Sequence, residues 1–231
     1  NSLTQPPFEP MSIAHLKFVT WKTAFLVLLA SGSRASEVHA LEYSSLRFQE
    51  KFHFALVEPV PEFKAKTANR DARSQRLEII KIPALAPTLD RGLREDRSLC
   101  PIRALKIYKA RSQPIRDKKQ TRRLFISYMK SKQGDIHKNT FSAWIKKTIS
   151  WAHEKSKESL IALSKARVHE VRALSASVAW KANLSLGDIL QAATWKSHTT
   201  FTDFYLRDVG LIQDDLHSLG PLAVAQHVVT V

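Results

Sequence analysis

The stretch AFLVLLASGSRASEVHAL, Ala24–Leu41, holds three different instructions to the backbone. Its first seven residues are wholly apolar. With Leu16, Phe18 and Val19 upstream, they make the segment from His15 to about Ala30 apolar on most sides, as expected of a helix buried all round. Ser31-Gly32-Ser33 then breaks the pattern. From Arg34 to about Leu41 the residues predict a second helix, opening on a cation with a carboxylate, Glu37, one turn on. The apolar run is too short to span a bilayer, so the first helix belongs in a protein core.

Upstream, residues 1–14 contain Pro6, Pro7 and Pro10 and are expected to be a linker. The first residue is not Met, which suggests a piece of a longer protein. Downstream, between Leu46 and Ile82, the runs FHFALVEPV and RLEIIKI predict strands. The polar, basic EFKAKTANRDARSQR joins them as a strand end and hairpin loop. Pro83, Pro87 and DRGLREDR form a connection. Pro101 suits the first turn of a helix through CPIRALKIYKARS. Leu124-Phe125-Ile126 is a short apolar run, and Asn139-Thr140 is a cap for a helix through TFSAWIKKTISWAHEKS. Further helices are predicted over Ala166–Ala182, Ser185–Ala193 and Thr199–Arg207. The fold class is therefore α+β, mostly helical, with a small antiparallel sheet inserted early.

Charge narrows the partner. The 36 Lys and Arg residues outnumber 21 Asp and Glu, a net charge of +15. Such an excess points to a polyanion, nucleic acid first. A membrane-surface protein would be expected to carry a basic amphipathic helix or lipidation signal, and neither termini shows one. Cys100 is the only cysteine, so no intramolecular disulfide forms, in keeping with a reducing compartment. No Cys/His spacing suggests zinc.

Four short segments carry candidate chemistry. In SGSRASEVHAL, Arg34 at a helix start offers an anion site, and Glu37 at i+3 can orient it; an ordinary surface ion pair is the alternative. In VHEVRALSAS, His169 and Arg172 share a helix face, joining a proton carrier to a planar phosphate fork. In FKAKT, Lys64 and Lys66 are expected at a strand end, two apart and on one side, followed by Arg70 and Arg73 in the basic loop. In WKSHTTFTDFYLRD, Trp195 stands ten residues before Tyr205 and His198 seven before it. Tyr205 is either a packing aromatic beside Phe201 and Phe204 or a nucleophile. There is no paired-carboxylate cluster, Gly-rich phosphate loop or G-x-S-x-G. Two guanidiniums can neutralise charge on a phosphodiester under attack, as metal ions do elsewhere, and a tyrosine hydroxyl can attack it. The set suits phosphoryl transfer without metal.

The order R…K…H-x-x-R…(H/W)…Y resembles that of the tyrosine recombinase catalytic domain. LCPIRAL, RLFISYMKSKQGDI and the FYLRD ending resemble, more narrowly, the recombinases of DIRS-like retrotransposons. The resemblance runs from about residue 10 to the end. It implies that Tyr205 attacks the scissile phosphate to form a 3′-phosphotyrosyl link, and that Arg34 and Arg172 hold the non-bridging oxygens. It further implies that Lys66 (with Lys64 as competitor) protonates the leaving 5′-oxygen and that His169 moves a proton or bonds the phosphate. Trp195, or His198 in its stead, packs near the phosphate, and Glu37 braces the first arginine. Lys64, Arg70 and Arg73 are expected to touch DNA.

By the same resemblance, residues 1–14 would lead from a missing N-terminal DNA-clamping domain and 15–210 would be the catalytic domain; 211–231 is a C-terminal tail whose apolar residues 216–229 either pack on their own domain or dock in a neighbouring protomer. The implied activity is metal- and ATP-independent DNA breaking and rejoining in the nucleus, integrating a retrotransposon's DNA. No cofactor is needed, and the partners are double-stranded DNA and further copies of the chain, with no membrane. The rivals are a type IB topoisomerase-like enzyme and a domesticated DNA-binding domain that no longer cuts.

Overall fold

The computed structural model describes residues 2–49, 51, 53–64, 79–85, 97–156, 168–181 and 184–192. Helix α1, Leu16–Ser31, is the expected buried helix: Val19 to Thr23, Ala24 and Leu26 to Ser31 are all inside. His15 caps its start, Nδ1 accepting from the Lys17 amide at 3.1 Å. Gly32, at φ 60°, ends it in the left-handed conformation that favours glycine. Helix α2, Ala35–His39, follows at once. Around α1 pack helices α3 (Pro101–Arg116), α4 (Lys138–Ser156) and α5 (Val168–Lys181). Helix α6, Leu186–Ala192, lies against α5. Among the described residues no helix is long and apolar enough to cross a membrane.

The early sheet has strands β1 (Arg47–Gln49), β2 (Phe54–Val57) and β3 (Ile80–Pro83), all antiparallel, in the order β1-β2-β3. Phe48, Ala55 and Ile82 stand side by side in register and face the core. Pro101 opens α3, as expected. Helix α4 begins two residues earlier than a cap at Asn139 implied: His137 Nδ1 accepts from the Asn139 amide at 3.2 Å. An imidazole nitrogen thus fills the capping role that Asn was expected to fill. Ser185 caps α6, its Oγ accepting from the Asp188 amide at 3.1 Å. The Leu124–Ile126 run is buried, and the Ile126 amide donates to the Tyr108 hydroxyl at 3.0 Å. Burial pushes the Tyr108 phenol up to about 12, so it remains protonated at neutral pH.

Residues 2–14 are seated on the core, although their prolines suggested a linker. Phe8 and Met11 are fully buried, and Phe8 meets the rings of Phe18 and Trp151 edge-on. The reason lies in α1. Lys22 is fully buried, and its Nζ donates to the Leu3 carbonyl and to Glu9 Oε1, both at 2.6 Å. Arg103 of α3 grips both oxygens of the same carboxylate, at 2.7 and 3.1 Å. Arg111 donates to the carbonyls of Met11, Ser12 and Ala14. A buried ammonium must be answered internally, and this segment supplies the answer. The expected helix Thr199–Arg207 and the 211–231 tail lie outside the described residues.

Burial pushes the Glu9 carboxyl up, but the hydrogen bonds from Arg103 and Lys22 and the Lys22 charge outweigh it, so its pKa is lowered. Burial pulls the Lys22 ammonium down, against the opposing pull of Glu9. A depressed carboxyl stabilises the fold above its unfolded pKa and loses that contribution as pH falls through the folded value. Glu9→Gln should therefore cost about 3 kcal/mol at neutral pH by leaving the Lys22 charge poorly answered, and should flatten the acid limb of stability against pH. Lys22→Met, which leaves Glu9 to Arg103, should cost less. Urea unfolding from about pH 3 to pH 7 checks both; equal acid limbs in wild type and Glu9→Gln would show that Glu9 is not the acid-sensitive tether.

Candidate functional site

Arg34 occupies the turn between α1 and α2, with extended backbone at φ −73°, ψ 149°. Its amide donates to Glu37 Oε2 at 2.6 Å and its Nη1 to Glu37 Oε1 at 2.8 Å. One carboxylate thus holds both the backbone and the head of the same arginine. The i,i+3 pair foreseen from the spacing is present, but as part of a larger group. Arg172 Nη1 approaches Glu37 Oε2 at 3.9 Å. That is a charge contact and not a hydrogen bond. Arg172 is 1% exposed and Glu37 8%, so a solvated surface ion pair does not describe them.

The anion site expected at the start of α2 needs one correction. The helix has only five residues, which gives it little dipole, and Glu37 already occupies the Arg34 amide. What remains able to meet an anion is the guanidinium. Arg34 is the more open of the two, its side chain 18% exposed against 2% for Arg172. Two guanidiniums share the surroundings of one carboxylate, and the planar fork of each is of the kind that can grip an anion with several oxygens.

Neighbouring groups hold α2 from its far end. His39 Nε2 donates to the Ile136 carbonyl at 2.7 Å, and Arg123 Nη1 donates to the His39 carbonyl at 3.2 Å. Burial lowers the His39 pKa, only partly opposed by its bond to Ile136, so the ring is neutral near pH 7. The Leu124 amide donates to the Leu41 carbonyl at 2.7 Å, closing the exit from α2. None of these partners was legible from local spacing, because each lies more than eighty residues away in sequence.

The other expected site residues are distributed as follows. His169 lies on α5 one turn before Arg172; its side chain is outside the described part. Lys64 is exposed on irregular backbone after a turn closed by the Phe63 amide on the Val60 carbonyl at 2.9 Å. The strand geometry expected of Lys64 is therefore corrected: β2 ends at Val57, where Glu58-Pro59 takes the chain out of the ladder. Lys66, Arg70, Arg73, Trp195, His198 and Tyr205 lie outside the described residues. Among the described residues no three His, Cys, Asp or Glu side chains gather as a metal site.

If Glu37 is the counter-ion of the buried Arg172, Glu37→Gln should destabilise the fold by about 3 kcal/mol. Arg34→Gln, at the more open partner, should cost about 1 kcal/mol or less. Urea denaturation followed by circular dichroism compares them. A Glu37→Gln cost no larger than that of Arg34→Gln would mean that Arg172 does not depend on the carboxylate. No protein-family model matches the chain, and no curated protein matches it in sequence.

Proposed function

We propose that this chain is the catalytic part of a DNA breaking and rejoining enzyme of the tyrosine-recombinase kind. One observation carries the proposal: Arg34 and Arg172, far apart in sequence, meet the same buried carboxylate through Glu37. Two cations also meet at Glu9, but there every contact is a short bond that holds the N-terminal segment, whereas Arg172 meets Glu37 at 3.9 Å. A phosphodiester in transit between two oxygens needs paired, fixed cations. The net charge of +15 suits the same polyanionic substrate.

In this proposal the phenolic oxygen of Tyr205 attacks the phosphorus. A phosphorus–tyrosine bond forms as the bond to the 5′-oxygen breaks. The phenolic proton passes to a base, with His169 in that role, and the leaving 5′-oxygen takes a proton from Lys66. Arg34 and Arg172 receive the charge that develops on the non-bridging oxygens. The link conserves the phosphodiester energy, so a second 5′-hydroxyl can reverse the step with another strand. Exchange between duplexes needs several copies of the chain on DNA. Integration of a retrotransposon's DNA in the nucleus is the setting that the sequence resemblance suggests.

The test is a nicked duplex whose cleaved end diffuses away, drawn from candidate element termini. An SDS-stable protein–DNA band is expected with wild type and should vanish with Tyr205→Phe. Arg34→Ala and Arg172→Ala should each slow band formation by about 100-fold or more. DNA affinity should fall steeply as salt rises, since phosphate contacts release counterions. Salt-sensitive binding with no band on any duplex would refute the cutting activity and leave a binding domain.

A further inference from the structure

Ser175 lies on α5, one turn beyond Arg172 and near it in angle about the helix axis. It is 1% exposed, and its Oγ donates to the Leu29 carbonyl at 2.8 Å. Leu29 belongs to the last turn of α1, where carbonyls run out of amides from the following turn. The Ser33 amide, four residues on, donates to Ser31 Oγ at 3.3 Å. The Ser175 hydroxyl therefore answers a helix-end carbonyl buried in the core. Three residues past Leu29 the chain turns at Gly32, and two residues later it delivers Arg34.

This hydroxyl thus stands where both arginine-bearing elements can be set against each other. On one side it is one turn from Arg172; on the other, one turn and a glycine from Arg34. The Glu37–Arg172 separation of 3.9 Å is sensitive to small movements of α5 along α1. From this geometry we infer that Ser175 is a positioning residue: its bond to Leu29 sets the register of α5 on α1 and so holds Arg172 at Glu37 and Arg34. The inference deepens the proposed function and rests on it for its catalytic meaning. Its structural content, the placing of Arg172, stands apart from that function.

Two measurements test it. The first follows the Arg172 Nε–H by nitrogen-15 NMR in the intact chain, assigned by its loss in Arg172→Lys. Ser175→Ala should shift this resonance and raise its solvent exchange by about tenfold, and Ser175→Thr, which keeps the donor, should restore it. An unchanged shift and exchange rate in Ser175→Ala would overturn the inference. The second measures the rate of covalent-band formation beside DNA affinity. Ser175→Ala should slow the rate by about 10- to 100-fold, as displaced catalytic groups do, with affinity unchanged within about twofold. In an Arg172→Ala background the same substitution should slow it no further, because residues acting through one group are non-additive. Equal losses in both backgrounds would mark a merely structural serine and overturn the inference. A wild type that forms no band would remove the proposed reaction, while the resonance still decides whether Ser175 places Arg172.

Discussion

A helix that is buried on nearly every side cannot leave its polar groups to water, and α1 sets that constraint on the rest of the molecule. Its two threonines turn to carbonyls one turn back: Thr20 and Thr23 donate to Leu16 and Val19, at 2.7 and 2.8 Å, and Thr23 also reaches the Ala104 carbonyl of α3 at 3.4 Å. Lys22 cannot, because its charge must meet a carboxylate. It therefore recruits the N-terminal segment through Glu9 and Leu3. At the other end of the helix, the Leu29 carbonyl recruits α5 through Ser175. The same rule of internal satisfaction thus fixes the segment before α1 and the helix that carries Arg172. The apolar residues supply the driving force, and the polar ones select which partner fits.

The candidate site inherits its order from this arrangement. Arg34 is delivered by the turn at Gly32 and locked by Glu37 within a single helical turn. Arg172 comes from an element that, among the described residues, the chain reaches only after the sheet and helices α3 and α4. Such a site cannot form before the fold does. Its precision depends on how firmly α5 sits on α1, and burial of Val171, Ala173 and Ala176 around Arg172 supplies the packing while Ser175 supplies the register. Local and long-range determinants are divided between the two arginines.

This division explains what could be read from the sequence. The AFLVLLA run, the Gly32 break, the Arg34–Glu37 pair and the helix over residues 168–181 follow from periodicity, turn chemistry and i,i+3 spacing. The strands near Phe54 and Ile80 follow from β-branched and aromatic content. What periodicity could not show is the identity of distant partners. Lys22 looks like one more surface cation until Glu9 and Arg103 surround it. The prolines of residues 1–14 announce irregular backbone, and irregular backbone is as compatible with a segment packed by Phe8 and Met11 as with a free linker. His137 and Asn139 compete for one cap, and the ring nitrogen wins without altering the hydrophobic pattern. Arg172 sits in a motif, yet nothing local says it is buried.

The two buried charge clusters also differ in a way that bears on function. Each gathers two cations around one carboxylate, so stoichiometry does not separate them. Around Glu9 every contact is short, from 2.6 to 3.1 Å, and the Leu3 carbonyl closes the remaining side of Lys22. That cluster is a finished tether, and any rearrangement of it would forfeit several charge-assisted hydrogen bonds at once. Around Glu37, Arg34 is tightly held while Arg172 stays at 3.9 Å. A charge pair beyond hydrogen-bond distance recovers less of its desolvation cost than a bonded one. The short bonds to Glu37 come from Arg34, so that carboxylate ties the backbone and head of one residue within a turn and reaches Arg172 through charge. The contrast in distance, rather than the count of charges, separates a cluster that binds the N-terminal segment to the core from one whose second cation meets its carboxylate through charge.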